Sequence, residues 1–171
     1  VEIKLYRTFL HLLPCIFLFL FSLAACNTGD TMKNISSITC IIDSGSILPE
    51  MQSHSEYLIT PQRLTLTRRG KSADTQIIEG QWAYPLDKQL QQELFDLAAE
   101  KRCREYERVE SADPPDGGET MNIIITYADD DTCTLFYDPG TTYRGAAELV
   151  ERIRQIIQSL DPASAVIVQQ P

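Results

Sequence analysis

Apolar and polar residues alternate over much of the chain, a pattern typical of β-strands with one dry and one wet face. Residues 35–42 are rich in β-branched side chains and predict the first strand. Residues 57–60 and 64–69 predict a hairpin, and residues 75–82 predict a further strand after a turn. The first half of the chain is therefore expected to form an antiparallel sheet.

A second hairpin shows the clearest alternation in the chain. Residues 121–127 and 132–137 each place their apolar side chains on one face, and residues 128–131, an alanine and three aspartates, supply the turn between them. Residues 165–168 are also apolar. Their pattern leaves two alternatives open, a final edge strand or a loose tail.

Two other stretches repeat apolar residues at the three- and four-residue spacing of an α-helix. The first is expected to begin at Pro85, and the second has Thr141 or Thr142 as its cap and ends at Asp161-Pro162. The apolar positions are Leu86, Leu90, Leu94, Leu97 and Ala98 in the first helix and Ala146, Leu149, Val150, Ile153, Ile156, Ile157 and Leu160 in the second. The expected polar face of the first helix comprises Lys88, Gln91, Gln92 and Asp96.

The order of strands, helix, hairpin and helix indicates the fold class. Neighbouring strands joined by hairpins pair antiparallel, and the apolar face of each helix needs a sheet to cover. The pattern therefore predicts an α+β fold, with an antiparallel sheet of about five to six strands and two helices packed on one face. A chain of 171 residues has room for one such domain.

The first 25 residues have a pattern that differs from the rest of the chain. A net-positive opening precedes an almost wholly apolar stretch at residues 9–25, which is typical of a secretory signal peptide. The stretch runs into Leu23-Ala24-Ala25-Cys26, which resembles the lipobox of bacterial lipoproteins. That resemblance implies that the signal is cut off before Cys26 and that the Cys26 thiol is acylated.

The resemblance also implies a domain organisation and a location. It gives a removed signal peptide at residues 1–25, a lipidated cysteine and tether at residues 26–34, and a single α+β domain at residues 35–171. The order of elements in that domain is similar to small uncharacterised envelope domains, a likeness that implies no activity. Asn27 stands where an aspartate resembles the inner-membrane retention signal of enterobacterial lipoproteins. An outer-membrane lipoprotein facing the periplasm is therefore expected, with the inner membrane and the cell surface as alternatives.

Charge narrows the possible partners. The chain has 15 basic and 24 acidic side chains and a net charge of −9. Loss of residues 1–25 removes two basic residues and one acidic residue, so the mature charge is −10. An acidic surface argues against a nucleic-acid partner and against adhesion to anionic lipid. Membrane attachment is therefore expected through acyl chains on Cys26, because two or three chains hold a protein stably.

Side chains suited to catalysis are few. The mature chain has one histidine, His54, which the pattern places in an exposed loop over residues 43–55, between two serines. A catalytic triad needs an orienting carboxylate and an oxyanion hole, and the local sequence shows neither. The run at residues 129–131 is three aspartates without calcium-loop spacing, which indicates a solvated turn. We therefore expect no catalytic residue, no metal site and no cofactor.

Three cysteines remain after Cys26, namely Cys40, Cys103 and Cys133. In an oxidising compartment they form at most one intramolecular disulfide. The pattern favours Cys103–Cys133, because Cys133 lies on the apolar face of its strand and Cys103 follows the helix expected to cover that face. Cys40 is then a buried thiol; the other two pairings and three free thiols are the alternatives.

These observations predict a lipid-anchored envelope protein whose domain is a non-enzymatic binding or inhibitory module facing the periplasm. The alternative is a lipid-anchored periplasmic hydrolase. The expected partners are the membrane, through acyl chains on Cys26, and an unknown envelope protein or cell-wall component.

Overall fold

The computed structural model describes residues 34–169, which form a seven-stranded sheet, a two-stranded sheet and two α-helices. The strands are β1 (Ile35–Asp43), β2 (Ser53–Ile59), β3 (Leu64–Gly70), β4 (Gly80–Tyr84), β5 (Glu107–Val109), β6 (Thr120–Tyr127), β7 (Thr132–Tyr137), β8 (Thr142–Arg144) and β9 (Val166–Gln169). The helices are α1 (Lys88–Ala99) and α2 (Ala147–Gln158). The predicted signal peptide, Cys26 and residues 27–33 lie outside the described residues.

The large sheet confirms the predicted α+β class and is wider than the five to six strands expected. Its strand order is β7-β6-β1-β2-β3-β4-β9, and every pair of neighbours is antiparallel. The strand β1 is interior because the β6–β7 hairpin adds to its free side, so that Cys40 lies opposite both Tyr57 and Ile123. The extra strand is β9, which pairs with β4 and is thus the edge strand among the two alternatives.

Alternate residues of the central strands are buried, as the pleat of a sheet with one covered face requires. In β6 the pattern is regular: Met121, Ile123, Ile125 and Tyr127 are buried and the residues between them are half-buried. These side chains join the buried residues of both helices in one hydrophobic cluster. The largest fully buried side chains are Ile38, Ile59, Leu64, Leu94, Ile123, Ile125, Leu135, Ile153, Ile156, Cys40 and Cys133.

The helix starts differ from those predicted. Helix α1 begins at Lys88 rather than at Pro85, because the Asp87 carboxylate accepts hydrogen bonds from the backbone N–H groups of Gln89 and Leu90 at 2.9 and 3.0 Å. Gln91, expected on the polar face, is buried, and its side-chain amide donates to the Thr60 carbonyl.

The start of the second helix also differs. Helix α2 is preceded by Ala146, and Thr142 lies in β8 instead of capping the helix. The sequence pattern did not predict the β5–β8 pair. Each of these strands has three mostly polar residues, too few to show an alternation of apolar and polar positions.

Two strand boundaries were also predicted wrongly. Residues 75–79 lie in the connection before β4, which spans Gly80–Tyr84 because pairing with β3 sets its length. The predicted loop at residues 43–55 ends early, since β2 begins at Ser53. His54 therefore lies on a strand rather than in a loop.

The structure joins Cys103 and Cys133 by a disulfide, the pairing that the sequence pattern favours, and leaves Cys40 as a buried free thiol. The bridge connects the turn after α1 to the edge strand β7, across a sequence separation of 30 residues. Among the described residues no helix is both long enough and apolar enough to cross a membrane.

Candidate functional site

Strand pairing collects polar side chains at one end of the large sheet. The end of β1, the start of β2 and the end of β3 meet there, with Asp43 opposite His54 and His54 opposite Arg69. Residues directly opposite each other in an antiparallel pair project from the same face. The sheet thus aligns a carboxylate, an imidazole and a guanidinium in one row across three strands.

A second polar row lies next to the first. Glu56 of β2 is opposite Thr67 of β3, which is opposite Gln81 of β4. The side-chain amide of Gln81 donates a hydrogen bond to the Thr67 hydroxyl at 3.3 Å. Both rows occupy positions that alternate with the buried residues of the same strands, and we call the face that carries them the outer face.

The second row forms part of a pocket of about 320 Å³. This volume is at the lower end of the range of roughly 300–1,000 Å³ for small-molecule sites. The lining residues are Glu56, Thr67, Arg68, Arg69, Glu79, Gly80 and Gln81. Most of them stand on β2, β3 and β4, so paired strands rather than a free loop hold the walls. We call this cavity the polar pocket.

Charged side chains of both signs line the polar pocket, and two of them form no ion pair with another described residue. Within residues 34–169, neither Glu56 nor Arg69 has an ion-pair partner within 4.0 Å. Glu79 is engaged, because its carboxylate accepts a hydrogen bond from the Gly70 backbone N–H at 2.6 Å. Arg68 donates from Nε to the Ser55 hydroxyl at 3.3 Å. The pocket thus offers a carboxylate and a guanidinium that remain available to a bound molecule.

The row beside the pocket contains a hydrogen-bonded charge cluster around Asp43. Lys71 donates from Nζ to Asp43 Oδ1 at 2.6 Å, and His54 Nδ1 lies 3.1 Å from the same oxygen. Partial burial raises the pKa of Asp43, but the hydrogen bonds from Lys71 and His54 outweigh burial and leave the pKa below its ordinary value. Asp43 is therefore a carboxylate at neutral pH, and it orients His54 by accepting from Nδ1.

This arrangement differs from the one expected for His54. The histidine has an orienting carboxylate that its local sequence does not show, and 38% of its side chain is exposed. Asp43 is its hydrogen-bond partner among the described residues, and no hydroxyl or thiol in that part of the chain is bonded to the ring. The pair thus supplies a positioned base without a bonded nucleophile.

The remaining predicted site residues lie elsewhere. The aspartates at residues 129–131 form the turn between β6 and β7, at the opposite end of the sheet from Asp43. Burial raises the pKa of the Cys40 thiol to about 12, so the thiol stays protonated. Residues 34–169 contain no group of three or more histidine, cysteine or acidic side chains placed to hold a metal.

Sequence reasoning missed the polar pocket. One signal was present, because Thr65, Thr67 and Arg69 alternate with the apolar residues of β3. Alternation alone identifies an outer face but does not tell which strand lies beside β3. Only the observed pairing places Glu56 and Gln81 on either side of Thr67.

Comparison of the chain with protein family models, with characterised protein sequences and with solved structures yields no match. Its function must therefore be inferred from the residues and geometry of the chain itself.

Proposed function

We propose that this chain is a lipid-anchored protein of the bacterial cell envelope whose domain binds an envelope component in the periplasm without catalysing a reaction. The observation that carries the proposal is the polar pocket on the outer face, with Glu56 and Arg69 unpaired inside residues 34–169. The proposed membrane is the outer membrane, and the proposed attachment is through acyl chains on Cys26.

The charges of the pocket favour a ligand that itself carries both signs. A hydrogen bond to a charged group contributes about 1.5–3 kcal/mol, more than a neutral one. Glu56 and Arg69 stand on adjacent paired strands, which fix their backbones, while their unpaired side chains still lose rotamer freedom when a ligand binds. A cell-wall peptide or a charged protein segment, with ammonium and carboxylate groups, fits this chemistry.

We propose that both helices cover the face of the large sheet opposite the outer face, which leaves the polar pocket open to solvent. Two observations support this arrangement: Leu94 of α1 and Ile153 of α2 belong to the hydrophobic cluster of the buried sheet residues, and Glu93 is paired with Arg152 at 2.9 Å across the two helices.

The chain enters the sheet at the end remote from the pocket. Ile35 begins β1 beside Tyr127, and Asp43 ends it beside the pocket. Nine residues of strand extend about 30 Å. The polar pocket and the start of β1 therefore lie at opposite ends of the described sheet.

Photo-crosslinking in cells tests the binding function. A photoreactive residue at Thr67, inside the pocket, is compared with one at Thr134, which is exposed on β7 of the same outer face. We expect an adduct at Thr67 and none at Thr134. In the double variant Glu56→Gln/Arg69→Gln the adduct should fall about tenfold or more, as loss of charged hydrogen bonds predicts. Equal adducts at both positions, or an adduct indifferent to the double variant, would contradict the proposal.

The second candidate is a lipid-anchored periplasmic hydrolase, and the Asp43–His54 pair is the observation that favours it. Incubation of the full chain with cell-wall sacculi and with activated esters tests it. Hydrolysis that is lost in His54→Ala but kept in Arg63→Ala, with both variants folded, would replace the binding function by this one. We expect neither substrate to be turned over.

A further inference from the structure

Three side chains that line the polar pocket are close neighbours on the outer face. Thr67 of β3 is directly opposite Glu56 of β2, and Arg69 stands two residues further along β3. Directly opposite residues project from the same face of a sheet, and diagonal neighbours lie about 7–8 Å apart. Glu56 and Arg69 form such a diagonal pair of unlike charges, and Thr67 is adjacent to both.

Each of these three side chains has hydrogen-bonding capacity left for a ligand. Within residues 34–169, the half-buried Glu56 and the exposed Arg69 have no ion-pair partner. The Thr67 hydroxyl accepts from the Gln81 side-chain amide at 3.3 Å, and a hydroxyl that accepts one hydrogen bond can still donate its own proton. The pocket therefore presents an acceptor for a cation, a donor for an anion and, beside them, a donor for a neutral oxygen.

The other two charged side chains of the pocket are already engaged. The Glu79 carboxylate accepts a backbone hydrogen bond at 2.6 Å, and Arg68 donates from Nε to a serine hydroxyl at 3.3 Å. The cationic end of a ligand is therefore expected at Glu56 and its anionic end at Arg69, whose planar guanidinium matches a carboxylate.

The spacing of Glu56 and Arg69 corresponds to a short peptide. Standard backbone dimensions place the nitrogen and the carboxyl carbon of one amino acid about 2.5 Å apart, and each further extended residue adds about 3.3–3.6 Å. The two ends of a dipeptide are therefore about 6 Å apart, close to the diagonal spacing, whereas a single amino acid is too short to lie alongside both side chains. A dipeptide also carries one peptide carbonyl between its charged ends.

We propose that the polar pocket binds a two-residue peptide unit with a free ammonium and a free carboxylate group. The ammonium donates to Glu56, the carboxylate accepts from Arg69, and the peptide carbonyl accepts from the Thr67 hydroxyl. This inference rests on the proposed binding function and names the ligand class that the pocket takes.

Nuclear magnetic resonance titration of the full chain in detergent with Gly-Gly tests the ligand class. We expect the backbone amide signals of Thr67 and Gln81 to shift and that of Thr134 to stay. Acetylation of the ligand ammonium, or conversion of its carboxylate to an amide, should each weaken binding at least tenfold. Glycine should also bind more weakly, and so should δ-aminovalerate, which has the charge spacing of Gly-Gly without its peptide group. Equal binding of all these ligands, or no binding of Gly-Gly, would overturn the proposal.

Single variants test which side chain holds which end of the ligand. Glu56→Gln should weaken Gly-Gly binding at least tenfold and should no longer distinguish Gly-Gly from its acetylated form. Arg69→Gln should lose the distinction between the carboxylate and the amide in the same way. The exposed substitutions Glu148→Gln and Arg63→Gln are the matched controls and should bind as the unaltered chain does. A variant that weakens binding but keeps its distinction would contradict the assigned orientation and overturn the proposal.

Two further comparisons separate the source of the ligand and the cause of a failure. The D,D and L,L forms of Ala-Ala distinguish a cell-wall peptide from a protein segment, and selective binding of either form supports the proposal. If Gly-Gly and both forms of Ala-Ala fail to bind while the cellular adduct at Thr67 persists and depends on Glu56 and Arg69, the ligand class is wrong and the binding function stands. If that adduct is absent as well, both are wrong.

Discussion

Asp43 and His54 lie eleven positions apart in the chain, and the pairing of β1 with β2 brings their side chains within 3.1 Å. Lys71 reaches the same carboxylate oxygen from the connection after β3. None of the three has an unusual local sequence. Their chemistry is set by cross-strand neighbours, which is why the pKa of Asp43 falls despite its partial burial.

Asp43 should make stability depend on pH in the acid range. Its pKa is lowered from 3.8 in the folded state, so its contribution is present above about pH 4 and is lost as the pH falls through the folded-state pKa. Asp43→Asn should reduce the free energy of unfolding by about 0.5–1 kcal/mol at pH 7 and by less at pH 3. Urea unfolding at both pH values measures this. The loop variant Asp113→Asn should change neither value, and an equal loss for Asp43→Asn at both pH values would contradict the prediction.

The elements are held together mainly by the alternating faces of the strands and the apolar stripes of the helices. Ile123 of β6 and Ile153 of α2 are both completely buried in the shared hydrophobic cluster. The Cys103–Cys133 bridge adds a covalent connection between the segment after α1 and β7. Ile123 and the bridge thus act on the adjacent strands β6 and β7.

Ile123→Asp and Ile153→Asp should each prevent accumulation of folded protein. An unpaired charge at either position costs several kcal/mol, comparable with the roughly 5–15 kcal/mol stability of a whole domain. Expression level and thermal melting measure the effect. Ile47→Asp is the matched control, because Ile47 is 51% exposed and should tolerate the charge. Normal melting of either core variant would show that its face was assigned wrongly.

Removal of the disulfide should destabilise the fold without abolishing it. The bridge closes a loop of 30 residues, for which the chain-entropy relation gives about 3.6 kcal/mol. The double variant Cys103→Ser/Cys133→Ser should lower the urea midpoint of unfolding accordingly. The variant Cys40→Ser should leave the Cys103–Cys133 bridge intact. Detection of a Cys40 disulfide in the unaltered protein by peptide mass mapping would refute the pairing.

At the scale of the whole molecule, polar and apolar features lie at different places along the sheet. The polar pocket is at the Asp43 end, the chain enters the sheet at the Ile35 end, and among the described strands the apolar β9 lies at one edge. Within residues 34–169, the polar pocket and the apolar edge strand therefore occupy separate parts of the large sheet.

Acylation at Cys26 is the prediction that decides the attachment. Intact-mass analysis of the membrane-bound protein should show a new start at Cys26 with added acyl mass. Cys26→Ala should stop cleavage at this site, whereas Cys15→Ala, within the apolar stretch, should leave processing unchanged. A protein cleaved elsewhere and released from the membrane would refute the lipobox assignment.

Local periodicity was enough for the features that depend on one segment at a time. The strand at residues 35–42, the hairpin of β6 and β7 and the buried stripe of α2 follow from repeats of two or three to four residues. The α+β class follows from their order. These features were predictable because a segment must turn one apolar face inward whatever partner it finds.

The sequence by itself determined the apolar faces of the strands and helices, the acidic charge and the lipobox-like start. Tertiary structure alone decided that β1 lies between β2 and β6, that Glu56 and Gln81 flank Thr67, that Asp43 is hydrogen-bonded to His54, and that β9 pairs with β4. The physical reason is that these features depend on which strands become neighbours and in which register. Such pairing is non-local, and many neighbours satisfy the same alternation equally well.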